Sequence, residues 1–321
     1  MQRKKFFQSL IGLALAGAGL AAQAQNKPLE WVIGYPAGGG SDVVARMLAD
    51  SMAKSLGRVI IVTNKPGAGT NIAAEYVARS RDPGNIMFTA DFATLAANPT
   101  LFSKLNYNAE KDFQPVGLLA RFPMFLAVAN SVPANNLKEF TVWAKAQQDG
   151  VNWGSAGLGS PHHLIGELFR EQSGLKLTHV PYKGVAPGVQ DLAGGQIPAM
   201  WLDSAAAYPF ANGKRIKLLA VASPKRLSTL PEVATLQEQG IKGFEAYAWQ
   251  GLVVPTATPP EQVKKLADAL QGALAQTAIK ARMQAMGLEP LPGTPAQMAA
   301  YTKSERQKWG ALIGKVGVKL D

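Results

Sequence analysis

The run Tyr35-Pro36-Ala37-Gly38-Gly39-Gly40-Ser41-Asp42 restricts the possible folds more than any other stretch of the chain. Before it, Leu29 to Gly34 is apolar and reads as a buried strand. After it, Val43, Val44, Met47, Leu48 and Met52 recur at helical spacing. A strand that feeds a helix through consecutive glycines is a βα unit. Its first helical N–H groups have no partner of their own, so a carboxylate or phosphate can be held there without a basic side chain. Gly39 is expected to need a backbone conformation closed to β-branched residues. A tight turn with positive φ and no ligand is the competing reading.

The same alternation continues. Val59 to Val62 reads as a second strand, Asn64 to Asn71 as another glycine loop containing Ala68 and Gly69, and Ile86 to Ala90 as a third strand. Two apolar runs, Val116 to Ala120 and Phe125 to Ala129, are placed where the chain passes from one lobe to another. Val151-Asn152-Trp153 then leads into Gly154-Ser155-Ala156-Gly157-Leu158-Gly159-Ser160-Pro161-His162, with Ser160 as helix N-cap and Pro161 in the first turn. This repeats the design of the opening stretch. Further strands are expected at 178–182, 197–202, 216–222 and 249–254, with helices from Pro259 onward and a last one starting at Pro295. The layout predicts an α/β chain with mainly parallel sheets flanked by helices. One lobe comprises residues 25–125 and 249–321, the other residues 126–248, with hinges near 125 and 248.

Arg3, Lys4 and Lys5 precede an apolar core from Leu10 to Leu20, followed by Ala22-Gln23-Ala24. That order marks residues 1–24 as a secretory signal peptide; the core is too short for a membrane span. The chain has no cysteine, as suits an oxidising compartment, and a formal charge of +11, three of which lie in that leader. The remaining basic residues are scattered, with no block and no aromatic interleaving. Nucleic acid is therefore not expected as a partner; the positive field serves anion steering or solubility.

Catalytic patterns are missing. There is no H-E-x-x-H, no G-x-S-x-G, no phosphate-binding G-x-x-x-x-G-K-[ST] and no G-x-G-x-x-G in the opening loop. His162 and His163 are adjacent and cannot share one metal, and no metal or cofactor is expected. Lys65 and Lys183 follow strands and could face a carboxylate. Asp203 ends a strand and could orient a polar group of a ligand or cap the next helix.

Tyr35 to Asp42 with Ala45-Arg46, then Asn64 to Gly69, Asn98-Pro99, Lys111-Asp112-Phe113, Gly154 to Gly157, His163-Leu164, Glu167-Leu168-Phe169, Val180-Pro181-Tyr182-Lys183-Gly184 and Gly194-Gly195-Gln196 form an ordered set. In this set the chain resembles the Bug family, the extracytoplasmic solute receptors of tripartite tricarboxylate transporters. The resemblance implies a two-lobed Venus-flytrap fold of the periplasmic-binding-protein type, a periplasmic location and no catalysis. It also implies a monomer, a small carboxylate ligand (an organic acid, amino acid or aromatic carboxylate) and membrane permease subunits as partners. The carboxylate is expected between the loop of Tyr35, Pro36, Ala37, Gly38, Gly39, Ser41 and Asp42 and the loop of Ser155, Ala156, Gly157, Ser160 and His162. Thr94 is carried over from the family's third-strand loop. Asp91, Phe92, Tyr182, Trp201 and Asp203 are expected at the distal side, where Asp91 or Asp203 would favour an amine or hydroxyl and Phe92 or Trp201 an apolar body. The family's Asp-Gly-Tyr is replaced here by Asp82-Pro83-Gly84-Asn85. Two alternatives stay open: a periplasmic hydrolase or transferase using Ser155 or Ser160 with His162, and a solute sensor that signals to a membrane kinase.

Overall fold

A computed structural model describes residues 27–320; the expected signal peptide lies outside them. The chain begins with β1 (Leu29–Ile33), α1 (Gly40–Leu56), β2 (Ile60–Asn64), α2 (Asn71–Ala78), β3 (Ile86–Asp91) and the short α3 (Asn98–Leu101). β2, β1 and β3 lie side by side in parallel, as βα connections require. The next strand, β4 (Phe113–Ala129), is 17 residues long. The two apolar runs expected around Val116 and Phe125 are thus one continuous strand. Arg121 to Pro123 looks like a break in sequence, but Pro123 falls where β4 changes partners, and small register shifts absorb Pro115 and the residues after it.

That change of partners organises the molecule. Phe113 to Pro123 pair antiparallel with β9 (Tyr247–Pro255), which pairs in turn with β3. Met124 to Val128 pair antiparallel with β7 (Ala199–Asp203), and Phe125 to Ala129 pair with β8 (Ile216–Val221) on the other side. β5 (Val151–Ser155) joins β7 and β6 (Leu177–Pro181) in parallel. The first sheet is therefore parallel in its βα half and antiparallel where β4 and β9 run through it, and the second is parallel through β5, β6 and β7 and antiparallel where β4 enters it. Within the second half, α4 (Leu137–Lys145), α5 (Pro161–Ser173), α6 (Val185–Ala193) and α7 (Ser204–Asn212) connect the strands. α8 (Pro260–Ala275), α9 (Thr277–Ala285), a two-residue β10 (Glu289–Pro290) on β4, and α10 (Pro295–Val316) complete the chain.

The sequence accounts for the ends of these helices. Asn136 caps α4 by accepting from the Glu139 N–H at 2.9 Å, and Thr294 opens α10 with a capping box closed by Gln297. α10 packs on the segment Ala93–Ala97, on β4 and on α5, so it touches both halves. Glu305 of α10 accepts from the indole N–H of Trp249 (2.8 Å) and of Trp309 (2.9 Å), fastening the helix to the strand that returns from the second sheet. Five tryptophans, at 31, 153, 201, 249 and 309, are almost wholly buried, and each such side chain buries an apolar area that dominates its local packing.

Candidate functional site

The loop after β1 is built from behind. Asp42 is buried, and its Oδ2 accepts from the Gly38 N–H at 2.9 Å and from Arg46 Nε at 3.0 Å. Its Oδ1 accepts from Asn64 Nδ2 at 3.0 Å, and Asn64 also donates to the Tyr35 carbonyl at 3.0 Å. Burial pushes the Asp42 carboxyl up, but the bonds from Arg46, Gly38 and Asn64 outweigh it and hold the group at about 2. Asp42 is thus fully engaged in shaping the loop, with both carboxylate oxygens bonded to protein donors. Pro36, Ala37, Gly38 and Gly39 are exposed, and α1 starts at Gly40 with no side-chain cap. The first-turn N–H groups, with that of Ser41 among them, therefore have no capping side chain.

The glycine that needs to be glycine is Gly38, at φ 83°. Gly39 sits at φ −77°, ψ 169°, ordinary extended backbone, and a Cβ there would come no nearer than 3.7 Å to the Pro36 carbonyl. The expectation for Gly39 therefore moves one residue back.

Next to this loop, four successive residues take positive φ: Gly67 (129°), Ala68 (48°), Gly69 (59°) and Thr70 (75°). Asn98 Nδ2 holds the turn at the Gly69 carbonyl (2.7 Å), and Thr70 Oγ1 lies 2.7 Å from Thr94 Oγ1. Thr94 donates its backbone N–H (2.9 Å) and its hydroxyl (3.0 Å) to Asp91 Oδ1, while the Tyr35 hydroxyl donates to Asp91 Oδ2. Thr70, Thr94 and Asp91 are buried and Tyr35 half-buried, and burial raises the Asp91 carboxyl although Thr94 and Tyr35 pull against it. Asp91 is accordingly committed to protein donors. Phe92 is not a pocket wall: it is fully buried, edge-on to Trp309 at 5.0 Å. Trp201 is likewise core, stacked on Phe244 and meeting Phe169 edge-on. Their apolar character reflects packing beneath the strands. Lys65 lies 3.9 Å over the Tyr76 ring instead of facing an anion.

The second loop follows the design expected of it. Ser160 caps α5 by accepting from the His163 N–H at 3.2 Å and donates to the Gly157 carbonyl at 2.7 Å. Gly157 (φ 122°) and Gly159 (φ 73°) take backbone conformations open to glycine. The neighbouring segment closes over it: the Tyr182 N–H donates to the Ser155 carbonyl (3.1 Å), and the Gly184 N–H to that of Ala156 (3.2 Å). The Tyr182 hydroxyl is taken by Asp191 at 2.9 Å, and Lys183 is exposed. Of the two roles expected for Asp203, the structure shows the helix cap. Its Oδ1 caps α7 through the Ala206 N–H (3.1 Å), and its Oδ2 accepts from His162 Nε2 (3.1 Å).

The serine–histidine pair is not the expected one. Ser155 Oγ lies 2.6 Å from His179 Nε2, not from His162. His179 stacks on His163 at 4.0 Å and lies tilted against Trp153 at 4.5 Å. Burial lowers His179 to about 4, and burial with the neighbouring His179 and Arg170 lowers His163 to about 3, so both rings are neutral near pH 7. Among the described residues no carboxylate bonds His179, so the pair lacks the third group that orients a catalytic imidazole. No cluster of three or more potential metal ligands occurs among them either.

Asn64, Asn98, His179 and Gln250 are the residues that sequence reasoning left without a role. Gln250 alone carried a signal, as an amide inside the apolar run from Trp249 to Val254. Its Nε2 donates to the Ser41 hydroxyl in the first turn of α1.

Residues 44–318 match the family model described as the tripartite tricarboxylate transporter family receptor. Three solved structures are similar over nearly all of both chains. A periplasmic binding protein, BugD, is 35% identical with a TM-score of 0.81, covering 91% of this chain and 98% of its own. An R. palustris protein solved with adipate is 29% identical with a TM-score of 0.84, covering 91% and 98%. MatC from Rhodopseudomonas palustris, with bound malate, is 32% identical with a TM-score of 0.79, covering 89% and 98%.

Proposed function

We propose that this chain, which belongs to the tripartite tricarboxylate transporter receptor family, captures a small organic carboxylate in the periplasm and passes it to the membrane subunits of such a transporter. It works as a monomer whose leader, residues 1–24, directs export. Residues 25–125 with 249–321 form one lobe and residues 126–248 the other. β4 and β9 carry the chain between them, and the lobes close on the ligand by bending there.

One observation carries this reading: α1 begins without a side-chain cap behind an exposed glycine loop that Asp42 and Asn64 brace from the rear. The bracing fixes the outward N–H groups in advance, and a carboxylate meeting them gains up to about 2 kcal/mol in a partly buried geometry. The loop from Ser155 to His162 opens α5 on the second sheet, where Ser160 caps the His163 N–H and the His162 N–H is left for the anion, giving it two helix starts and no need for an arginine. Malate in MatC and adipate in the R. palustris protein are both small carboxylates, which supports the same class here. Binding rather than turnover is also supported by the neutral, unoriented His179 beside Ser155.

A thermal-shift screen over mono-, di- and aromatic carboxylates tests the proposal, because a ligand that binds only the folded state raises its melting temperature. At least one carboxylate at a hundred times its Kd should add about 2.7 kcal/mol. A full panel with no shift defeats it.

A further inference from the structure

β2 is the free edge of the first sheet. Its bonds to β1 run from the Leu29 N–H to the Val59 carbonyl (2.9 Å) and from the Lys65 N–H to the Ile33 carbonyl (2.8 Å), with Leu29 to Ile33 in register with Ile60 to Asn64. In such a parallel ladder alternate residues bond to the neighbour. Ile61 and Thr63 therefore face β1, while Ile60, Val62 and Asn64 turn their N–H and C=O groups outward, where no strand pairs among the described residues. The edge of the second sheet differs. There β6 carries Pro181 at an outward position, which removes a donor and blunts that edge. β2 has no proline.

The surface beside this edge is apolar. Six large apolar side chains stand exposed among the described residues, and four of them meet here: Val59 (63% exposed) and Ile61 (48%) on β2, and Ile72 (51%) and Tyr76 (42%) one turn apart on α2. Glu30 links the two elements, since Ile61 is its cross-strand neighbour and the Tyr76 hydroxyl donates to its Oε2 at 3.0 Å. A cluster of this kind on an unpaired edge is a liability unless a partner covers it. The nearby carboxylates are occupied. Glu30 also accepts from Thr63, Glu75 pairs with Arg79 at 2.6 Å, and Asp82 pairs with Lys27. Arg58 and Lys65, at the two ends of the strand, are in no ion pair: Arg58 donates to the Lys27 carbonyl and the Asn85 side chain, and Lys65 lies over Tyr76.

We propose that β2 is a docking edge for an extended segment of another protein, apolar along its length and acidic at both ends, which joins the first sheet as a further strand. The outward backbone groups supply its hydrogen bonds, the four apolar side chains its burial, and Arg58 and Lys65 select its charge. A second copy of this chain is the poorer occupant, because the edge is basic at both ends and either orientation sets like charge against like.

NMR titration of the full mature protein with the peptide acetyl-Glu-Val-Thr-Val-Thr-Val-Glu-amide tests this, beside the same peptide with lysine at both ends. The acidic peptide should shift the amides of Ile60, Val62 and Asn64 with a Kd below about 1 mM, and the lysine peptide should bind about tenfold more weakly. Lys65→Glu should move that ratio towards one. Edge amides that stay unmoved, shifts at Gly38 to Ser41 in their place, or equal binding of the two peptides overturn the inference even if the variant does not fold. A folded variant with the wild-type ratio overturns it as well. Sedimentation that shows a dimer whose edge amides resist hydrogen exchange gives the edge to a second copy and overturns it too.

Discussion

At the scale of single residues, the candidate loops are held in shape by their own backbone and by buried side chains. Gly38 is the clearest case: at φ 83° a β-branched residue is excluded, yet no atom lies within 4 Å of where its Cβ would be. Gly38→Val should therefore distort the loop through backbone strain alone and weaken ligand binding by tenfold or more. Gly39→Val, at φ −77°, should cost far less; calorimetry on both variants separates them, and equal losses would count against the backbone account. The stacked histidines give a pH prediction. His163 and His179 have folded values of about 3 and about 4, below the usual 6.5, so the unfolded chain binds protons more readily. Their contribution to stability is complete above about pH 6.5 and is lost as the pH falls towards 4 and below. The melting temperature should drop between pH 7 and pH 5, and His179→Gln should flatten that drop. The chemistry of the loops was legible in sequence because glycine, serine and proline at a strand-to-helix turn have local physical meanings. The engagement of Asp42, Asp91 and Phe92 was not, because a carboxylate facing protein and one facing a ligand are spelled alike, and only tertiary neighbours such as Asn64, Thr94 and Trp309 decide.

At the scale of elements, the left-handed turn from Gly67 to Thr70 stores strain beside the site. Ala68 at φ 48° and Thr70 at φ 75° each pay on the order of 1–2 kcal/mol for that conformation. Thr70 is bound to Thr94 and cannot be replaced without losing that bond, whereas Ala68 is exposed. Ala68→Gly should therefore raise stability by roughly 0.5–1 kcal/mol, after the added freedom of the unfolded chain is set against the relieved strain. Chemical denaturation checks it, and a loss of stability would show that the turn is not strained. Periodicity located most strands and helices, and Pro295 marked a helix start correctly. It failed at β4, because a strand that serves two sheets in succession carries a polar, proline-containing middle that a strand in one sheet would not tolerate.

At the scale of the whole molecule, the second glycine loop is in contact with elements of the first half. A Cβ on Gly159 would lie 2.6 Å from Leu320 Cδ1 and 2.8 Å from Leu101 Cδ1, so the two halves approach each other there as closely as glycine allows. Lys315 of α10 also reaches Glu171 of α5 at 2.6 Å, an exposed pair worth little by itself. Gly159→Val should hold the lobes apart, enlarging the radius of gyration in solution scattering with saturating ligand and lowering affinity about tenfold; an unchanged scattering curve would show that closure does not pass through this contact. Two helix starts that grip one carboxylate through backbone N–H groups should respond most directly to a change in the ligand's charge alone. The strongest acid from the carboxylate screen should be titrated calorimetrically beside its primary amide. With up to about 2 kcal/mol from each helix terminus at stake, the amide should bind on the order of a hundredfold more weakly or not at all. Equal affinity of acid and amide would contradict the account.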